Sequence, residues 1–273
     1  MAAGGRVFLG SILTCGRCLQ CTDGRQNLCE HHLLYGYDPF PGAYAELAAV
    51  PPIAVKNLIP LPPDLPSELA TVVDPFACAL NGIEVLEVGL GDSVLILGAG
   101  PIGCWQAVMA RDRGAGRVFL CDVNRHRVEL ALEAVGGFVD DAWVAGDDNG
   151  LAEVLERTGG AGADRISVAA PSKQAQQAAL EMAAKRARVV YFAGLPKHDP
   201  VSPLDMNQLH YKELAILGAY GATRRQYRIT MAYLNRRRDE LAPVVTHQFP
   251  LERIGEAFET IRSGAGLKMV VVP

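Results

Sequence analysis

The stretch Gly91-Asp92-Ser93-Val94-Leu95-Ile96-Leu97-Gly98-Ala99-Gly100-Pro101-Ile102-Gly103 decides the fold. Val94–Leu97 is short and wholly apolar, which reads as a strand covered on both faces. Gly98, Gly100 and Gly103 then form Gly-x-Gly-x-x-Gly, with Pro101 and Ile102 filling the last gap, and a helical pattern runs over Ile102–Arg113. Strand, glycine turn and helix in that order bind a dinucleotide. Gly98 permits the tight turn, Gly100 lets the backbone approach a pyrophosphate, and Gly103 lets the helix lie close to the strand. The free N–H groups at the helix start then face the phosphates.

Downstream the same rhythm continues. Strands are read at Val118–Asp122, Trp143–Ala145, Arg165–Ala170, Arg188–Ala193 and Leu214–Ala219. Helices are read at Arg125–Ala134, Leu151–Arg157 and Lys173–Lys185. Apolar strands alternating with helices predict an α/β fold, a doubly wound parallel sheet of the Rossmann type. The second strand ends on Asp122, 24 residues beyond Gly98. A carboxylate there can accept both ribose hydroxyls of NAD and repel the extra phosphate of NADP. The alternative role is a cap on the next helix.

Upstream, residues 1–50 are turn-rich, with short β-like pieces at Arg6–Leu9 and Ala43–Val50. Residues 51–66 hold six prolines, which predicts an extended connector without helix. Helical patterning starts at Ser67. After about residue 240 come a strand near His247–Phe249, a helix Leu251–Ser263 and a last strand Lys268–Val272.

The run Cys15-x2-Cys18-x2-Cys21-x7-Cys29 places four thiols within 15 residues. Four thiolates can enclose one tetrahedral Zn²⁺ at about 2.3 Å each, with Gly16 and Gly24 supplying the sharp turns. Such a shell has no open position for water, so the metal would be structural. An iron–sulfur cluster also takes four cysteines, usually at other spacings. Cys78, Cys104 and Cys121 sit in apolar stretches and read as small buried hydrophobes.

Composition narrows the class. The chain has 273 residues, 49% hydrophobic and 21% charged, with a net charge of −4. It is neither disordered nor fibrous. No apolar run approaches the roughly 20 residues that span a bilayer, and the charge offers no field for nucleic acid. Seven cysteines, four of them clustered, and a poor signal-peptide pattern at the start predict a cytoplasmic protein with reduced thiols.

The quartet, then Gly42-Ala43-Tyr44-Ala45-Glu46-Leu47, then an acid-Pro helix, then the glycine turn resemble the zinc-containing medium-chain dehydrogenases, sorbitol and threonine dehydrogenases above all. The resemblance implies a partial GroES-like β-barrel catalytic domain over residues 1–74 carrying the structural zinc lobe. It implies a dinucleotide-binding domain over 75–240 and a return to the first domain over 241–273. It places Asp122 and Arg127 at the adenosine ribose and Lys268 near the pyrophosphate, where Lys268 also reads as a solvated lysine beside a strand. It implies NAD as cofactor, a small-molecule alcohol or polyol as substrate, and a homo-oligomer, dimer or tetramer, often built through the sixth strand.

Two departures bear on activity. Family members carry a Cys ligand, a Ser or Thr and a Gly-His-Glu motif ahead of the position of Gly4, so the catalytic zinc site is expected to be incomplete here. The family's Glu-Pro is Asp74-Pro75 in this chain. Asp74 reads either as the catalytic-zinc carboxylate or as a helix cap ahead of Pro75. The leading expectation is an NAD-dependent dehydrogenase moving hydride between a secondary alcohol and the nicotinamide. The alternative is a non-catalytic NAD-binding degenerate relative or a truncated fragment.

Overall fold

The computed structural model describes residues 4–146 and 150–273. Two compact units are present. One comprises the residues up to Cys78 together with Tyr220–Pro273, and the other is Ala79–Ala219.

The Ala79–Ala219 unit is built on six parallel strands: β1 Ser93–Leu97, β2 Arg117–Asp122, β3 Asp141–Val144, β4 Ala163–Val168, β5 Ala183–Tyr191 and β6 Ala215–Gly218. Their order is β6-β5-β4-β1-β2-β3. The central pairings run Leu97 to Cys121 on one side and Leu97 to Val168 on the other. The chain thus reverses direction across the sheet beside β1, and a crevice opens beyond the strand ends at that switch. Val94, Leu95 and Ile96 have no exposed surface, because helices such as Pro101–Asp112 and Lys173–Met182 cover the sheet. The core on one face gathers Leu95, Phe119, Ile166, Leu180, Met182 and Val189.

The first unit holds short antiparallel pairings, Val7–Phe8 with Ile59–Pro60 and Ile12–Leu13 with Leu33–Leu34. It also holds a parallel pairing of Val245–Pro250 with Lys268–Val272, joined through the helix Ile254–Ser263.

Several expectations need correction. Residues 220–240 group with the first unit rather than with the sheet. The reason is local bonding: Asn27 donates to the Tyr220 carbonyl at 2.7 Å, Arg224 donates to the Lys56 and Leu58 carbonyls, and the Tyr227 ring packs 5.1 Å from Phe8. The helix expected to reach Lys185 ends at Met182, and β5 begins at Ala183 in register with Ala163. Pairing with a neighbouring strand overrides the helix propensity of the alanines there. Lys212 secures the switch, its ammonium donating to the carbonyls of Leu180, Glu181 and Ala183. The proline-rich connector contains one helical turn, Pro52–Val55, with Pro52 in the first turn, where a missing N–H costs nothing. Ala43–Val50 forms no strand.

Candidate functional site

The glycine turn has the geometry that a phosphate cradle needs. Gly98 stands at φ +124°, and a Cβ there would lie 3.1 Å from the Ala169 backbone. At Gly103 a Cβ would sit 1.9 Å from the Gly98 carbonyl oxygen, so only glycine lets the helix lie this close. Gly100 differs. It caps the helix Pro101–Asp112 at φ −75° and ψ −179°, and a Cβ would meet nothing within 4 Å. No protein atom requires glycine at that point, and the space stands open at the N–H groups of the helix start. Pro101 and Ile102 begin that helix.

Asp122 closes β2, buried at 8% exposure. One carboxylate oxygen accepts from the Ala99 amide at 2.8 Å, and the other accepts from the Asn124 amide at 2.9 Å. The acid therefore ties the glycine turn to the start of the next helix, Arg125–Val135, whose cap is Asn124. Each carboxylate oxygen keeps a further acceptor direction for a hydroxyl. Gly98, Asp122 and Arg127 line one cavity of about 140 Å³, together with Val123, Ser172 and Ala175. Sequence reading named the first three. Ser172 was missed, although its place two residues past β4's extension, at the cap of the helix Lys173–Met182, marks it.

The cysteine quartet is assembled. All four Sγ atoms lie within 4.8 Å of one another, with Cys15 and Cys21 at 4.0 Å and Cys18 and Cys29 at 3.9 Å. A tetrahedron with Zn–S near 2.3 Å has edges of about 3.8 Å, so the cluster fits zinc. Gly16 and Gly24 take φ of +72° and +80° as the turns require. The Arg17 and Cys18 amides donate to the Cys15 sulfur and bring its pKa down to about 6, whereas burial pushes Cys21 up to about 12.

Asp74 lies in the first turn of the helix Val73–Leu86, not at its cap, which corrects that expectation. One oxygen accepts from the Tyr227 hydroxyl at 2.6 Å and the other from Ser11 at 3.0 Å. Sequence reading missed both donors, which lie 153 and 63 residues away. Burial and the Asp74 charge push the Tyr227 phenol far up. Lys268 belongs to this neighbourhood: burial lowers its pKa, and the Asp74 carboxylate opposes the shift. Among the described residues the cysteine quartet is the only group of three or more metal-ligating side chains, so Asp74 belongs to no such group and does not by itself fit a catalytic zinc.

A parallel sheet with a glycine turn at its switch, an acid closing the second strand and a four-thiol lobe together define a dinucleotide-binding oxidoreductase with a zinc-binding module. Residues 101–236 match the family model described as zinc-binding dehydrogenase, and residues 1–63 match the alcohol dehydrogenase GroES-like domain. The L-threonine 3-dehydrogenase of Bacillus licheniformis is 32% identical over 265 residues, covering 96% of this chain and 73% of that protein. An alcohol dehydrogenase of Escherichia coli CFT073 complexed with NADH superimposes at TM-score 0.84 with 25% identity, covering 98% of this chain and 76% of that one. A protein of Sinorhizobium meliloti 1021 described as a zinc-binding dehydrogenase, bound to NADP, gives 0.84 and 25% over 100% of this chain and 78% of that one. The chain belongs to the zinc-containing medium-chain dehydrogenase family. It is an oxidoreductase of the zinc-type alcohol and polyol dehydrogenases. Its cofactors are a nicotinamide dinucleotide and zinc. No helix among the described residues is long and apolar enough to cross a membrane.

Proposed function

We propose that this oxidoreductase uses NAD rather than NADP and acts on a small secondary alcohol or polyol. The observation that carries the cofactor choice is Asp122, a buried carboxylate at the end of β2 lining the same cavity as Gly98 and Arg127. A bound nicotinamide supplies the hydride-transfer chemistry. The chain's part is to hold the dinucleotide. The glycine turn leaves the helix N–H groups free, Gly100 leaves room for close approach, and Asp122 offers acceptors to ribose hydroxyls. Arg127 faces the same cavity with a positive charge, and Lys268 is assigned to the pyrophosphate by the family resemblance alone. The carboxylate repels a 2′-phosphate at that position.

Cys15, Cys18, Cys21 and Cys29 are assigned a structural zinc, supported by their mutual distances. Asp74, held by the Tyr227 and Ser11 hydroxyls, is the candidate acid of the reaction centre. The alcohol substrate is supported by the threonine and alcohol dehydrogenases to which the chain is similar. A homo-oligomer, dimer or tetramer, is supported by β6, which among the described residues pairs only with β5 and ends the sheet. All seven cysteines are free, in keeping with a reducing cytoplasm.

Binding titrations with NADH and NADPH, followed by a turnover assay over a panel of secondary alcohols and polyols, test this reading. Tighter binding of NADH is the expected result. Equal or tighter binding of NADPH overturns the assignment of Asp122.

A further inference from the structure

A second cavity, of about 180 Å³, lies in the first unit beside the cysteine lobe, remote in sequence from the glycine turn. Its lining includes Thr14, Gln26, Lys56, Asn57, Arg224 and Tyr227, with two cations and no carboxylate. The placement of the cations is specific. The Arg224 guanidinium is anchored by donating to the Lys56 and Leu58 carbonyls. Its Nε is buried and has no partner. Lys56 donates to the Cys15 carbonyl at 2.6 Å and stays otherwise exposed. Neither cation takes part in an ion pair with a carboxylate among the described residues.

Two cations lining one chamber with no carboxylate among its lining residues make its potential positive, which favours an anion there. Asp74 is not in the lining, and its two oxygens accept from Tyr227 and Ser11. The cavity is thus a polar, cationic chamber with room for several heavy atoms, since one water takes about 30 Å³. Planar guanidinium groups suit oxyanions, and a neighbouring ammonium adds charge without fixing geometry.

We infer that this chamber binds a small oxyanion, a phosphate or a carboxylate, held by Arg224 and Lys56 at the junction of the cysteine lobe and the helix Arg224–Arg236. The site is separate from the dinucleotide cavity and independent of the choice between NAD and NADP.

The test uses the full, zinc-loaded chain with NADH at saturation, so that the glycine turn is occupied. Inorganic phosphate is titrated calorimetrically, and acetate is then tried as a competitor. The expected result is saturable binding of one phosphate per chain, weakened roughly tenfold or more by Lys56→Gln and by Arg224→Gln. Arg127→Gln, in the other cavity, should leave it unchanged. Displacement by acetate marks a carboxylate ligand, and phosphate binding that acetate cannot displace marks a phosphate ligand. Arg224→Gln removes two struts to the 56–58 segment, so zinc content and unfolding midpoint are measured on each variant. Lys56→Gln, at an exposed side chain, keeps the test valid if Arg224→Gln loses its fold. Absence of saturable binding overturns the inference. So does binding that both variants leave intact, or binding that Arg127→Gln removes.

Discussion

Two glycines three residues apart should respond to the same substitution in opposite ways. Gly103→Ala places a methyl 1.9 Å from the Gly98 carbonyl oxygen and 3.1 Å from its carbon. Both are backbone atoms, so no rotamer change relieves the overlap, and the helix Pro101–Asp112 must move off β1. Overpacking typically costs about 1–3 kcal/mol. With a fixed backbone as the obstacle, about 3 kcal/mol is the reasonable figure, or a fall of roughly 6–12 °C in midpoint for a chain of this size. Gly100→Ala adds a methyl to open space at ordinary dihedrals. It loses part of a cap preference of about 0.5–1 kcal/mol and regains about 0.4–1 kcal/mol by restricting the unfolded chain, so stability should hardly change. The methyl would instead occupy the approach that a pyrophosphate needs, and cofactor affinity should fall. Thermal and urea unfolding, paired with a fluorescence titration of NADH, separate the two effects. The reasoning fails if Gly103→Ala unfolds like the unmodified protein, or if Gly100→Ala is the destabilised variant while it binds NADH normally.

A strong chelator should remove one zinc per chain and expose Cys15, Cys18, Cys21 and Cys29 to alkylation, and Cys18→Ser should lose the metal outright. Metal analysis and thiol labelling check both. Asp122→Ser should narrow the preference for NADH over NADPH, with loss of charge-assisted bonds of about 1.5–3 kcal/mol, measured as a ratio of dissociation constants. Lys212→Met leaves three carbonyls without their shared donor and should cost about 1–2 kcal/mol in urea unfolding. Tyr227→Phe removes the 2.6 Å hydrogen bond to Asp74. It should lower stability by about 1–3 kcal/mol, read by calorimetry, with zinc content unchanged.

The sheet was legible because its signals are local. An apolar tetrad followed by three spaced glycines dictates strand, turn and helix within 13 residues, and the structure places all three there. The thiol lobe was legible for the same reason: its ligands are close in sequence and its turns need only glycine. Strand ends were less legible. β5 starts inside an alanine-rich segment that propensity assigns to helix, and only pairing with β4 and the remote Lys212 ammonium overrules it. The placement of residues 220–240 was not legible, because the bonds that hold them join positions up to 193 apart in the chain. Tyr227 and Ser11 were hidden likewise. Neither stands in a motif, and each becomes notable only through the carboxylate it meets.

The two candidate acids show how a carboxylate can serve structure and function together, and where that ends. Asp122 accepts from backbone amides of the two segments that a dinucleotide must touch, the glycine turn and the start of the next helix. Those donors are fixed by the backbone, so the carboxylate is oriented before any ligand arrives, and its remaining acceptor directions are free for hydroxyls. Its structural bonds thereby prepare the binding role proposed for it. Asp74 accepts instead from two side-chain hydroxyls of its own unit. Those hydroxyls fix the direction of its oxygens, and Lys268 feels its charge. A metal at Asp74 would need further ligands within reach, and among the described residues the only such assembly is the quartet. The structural bonds of Asp74 therefore orient a charge without building a metal site around it. Tyr227 and Ser11, the two groups it touches, are the side chains that set that orientation.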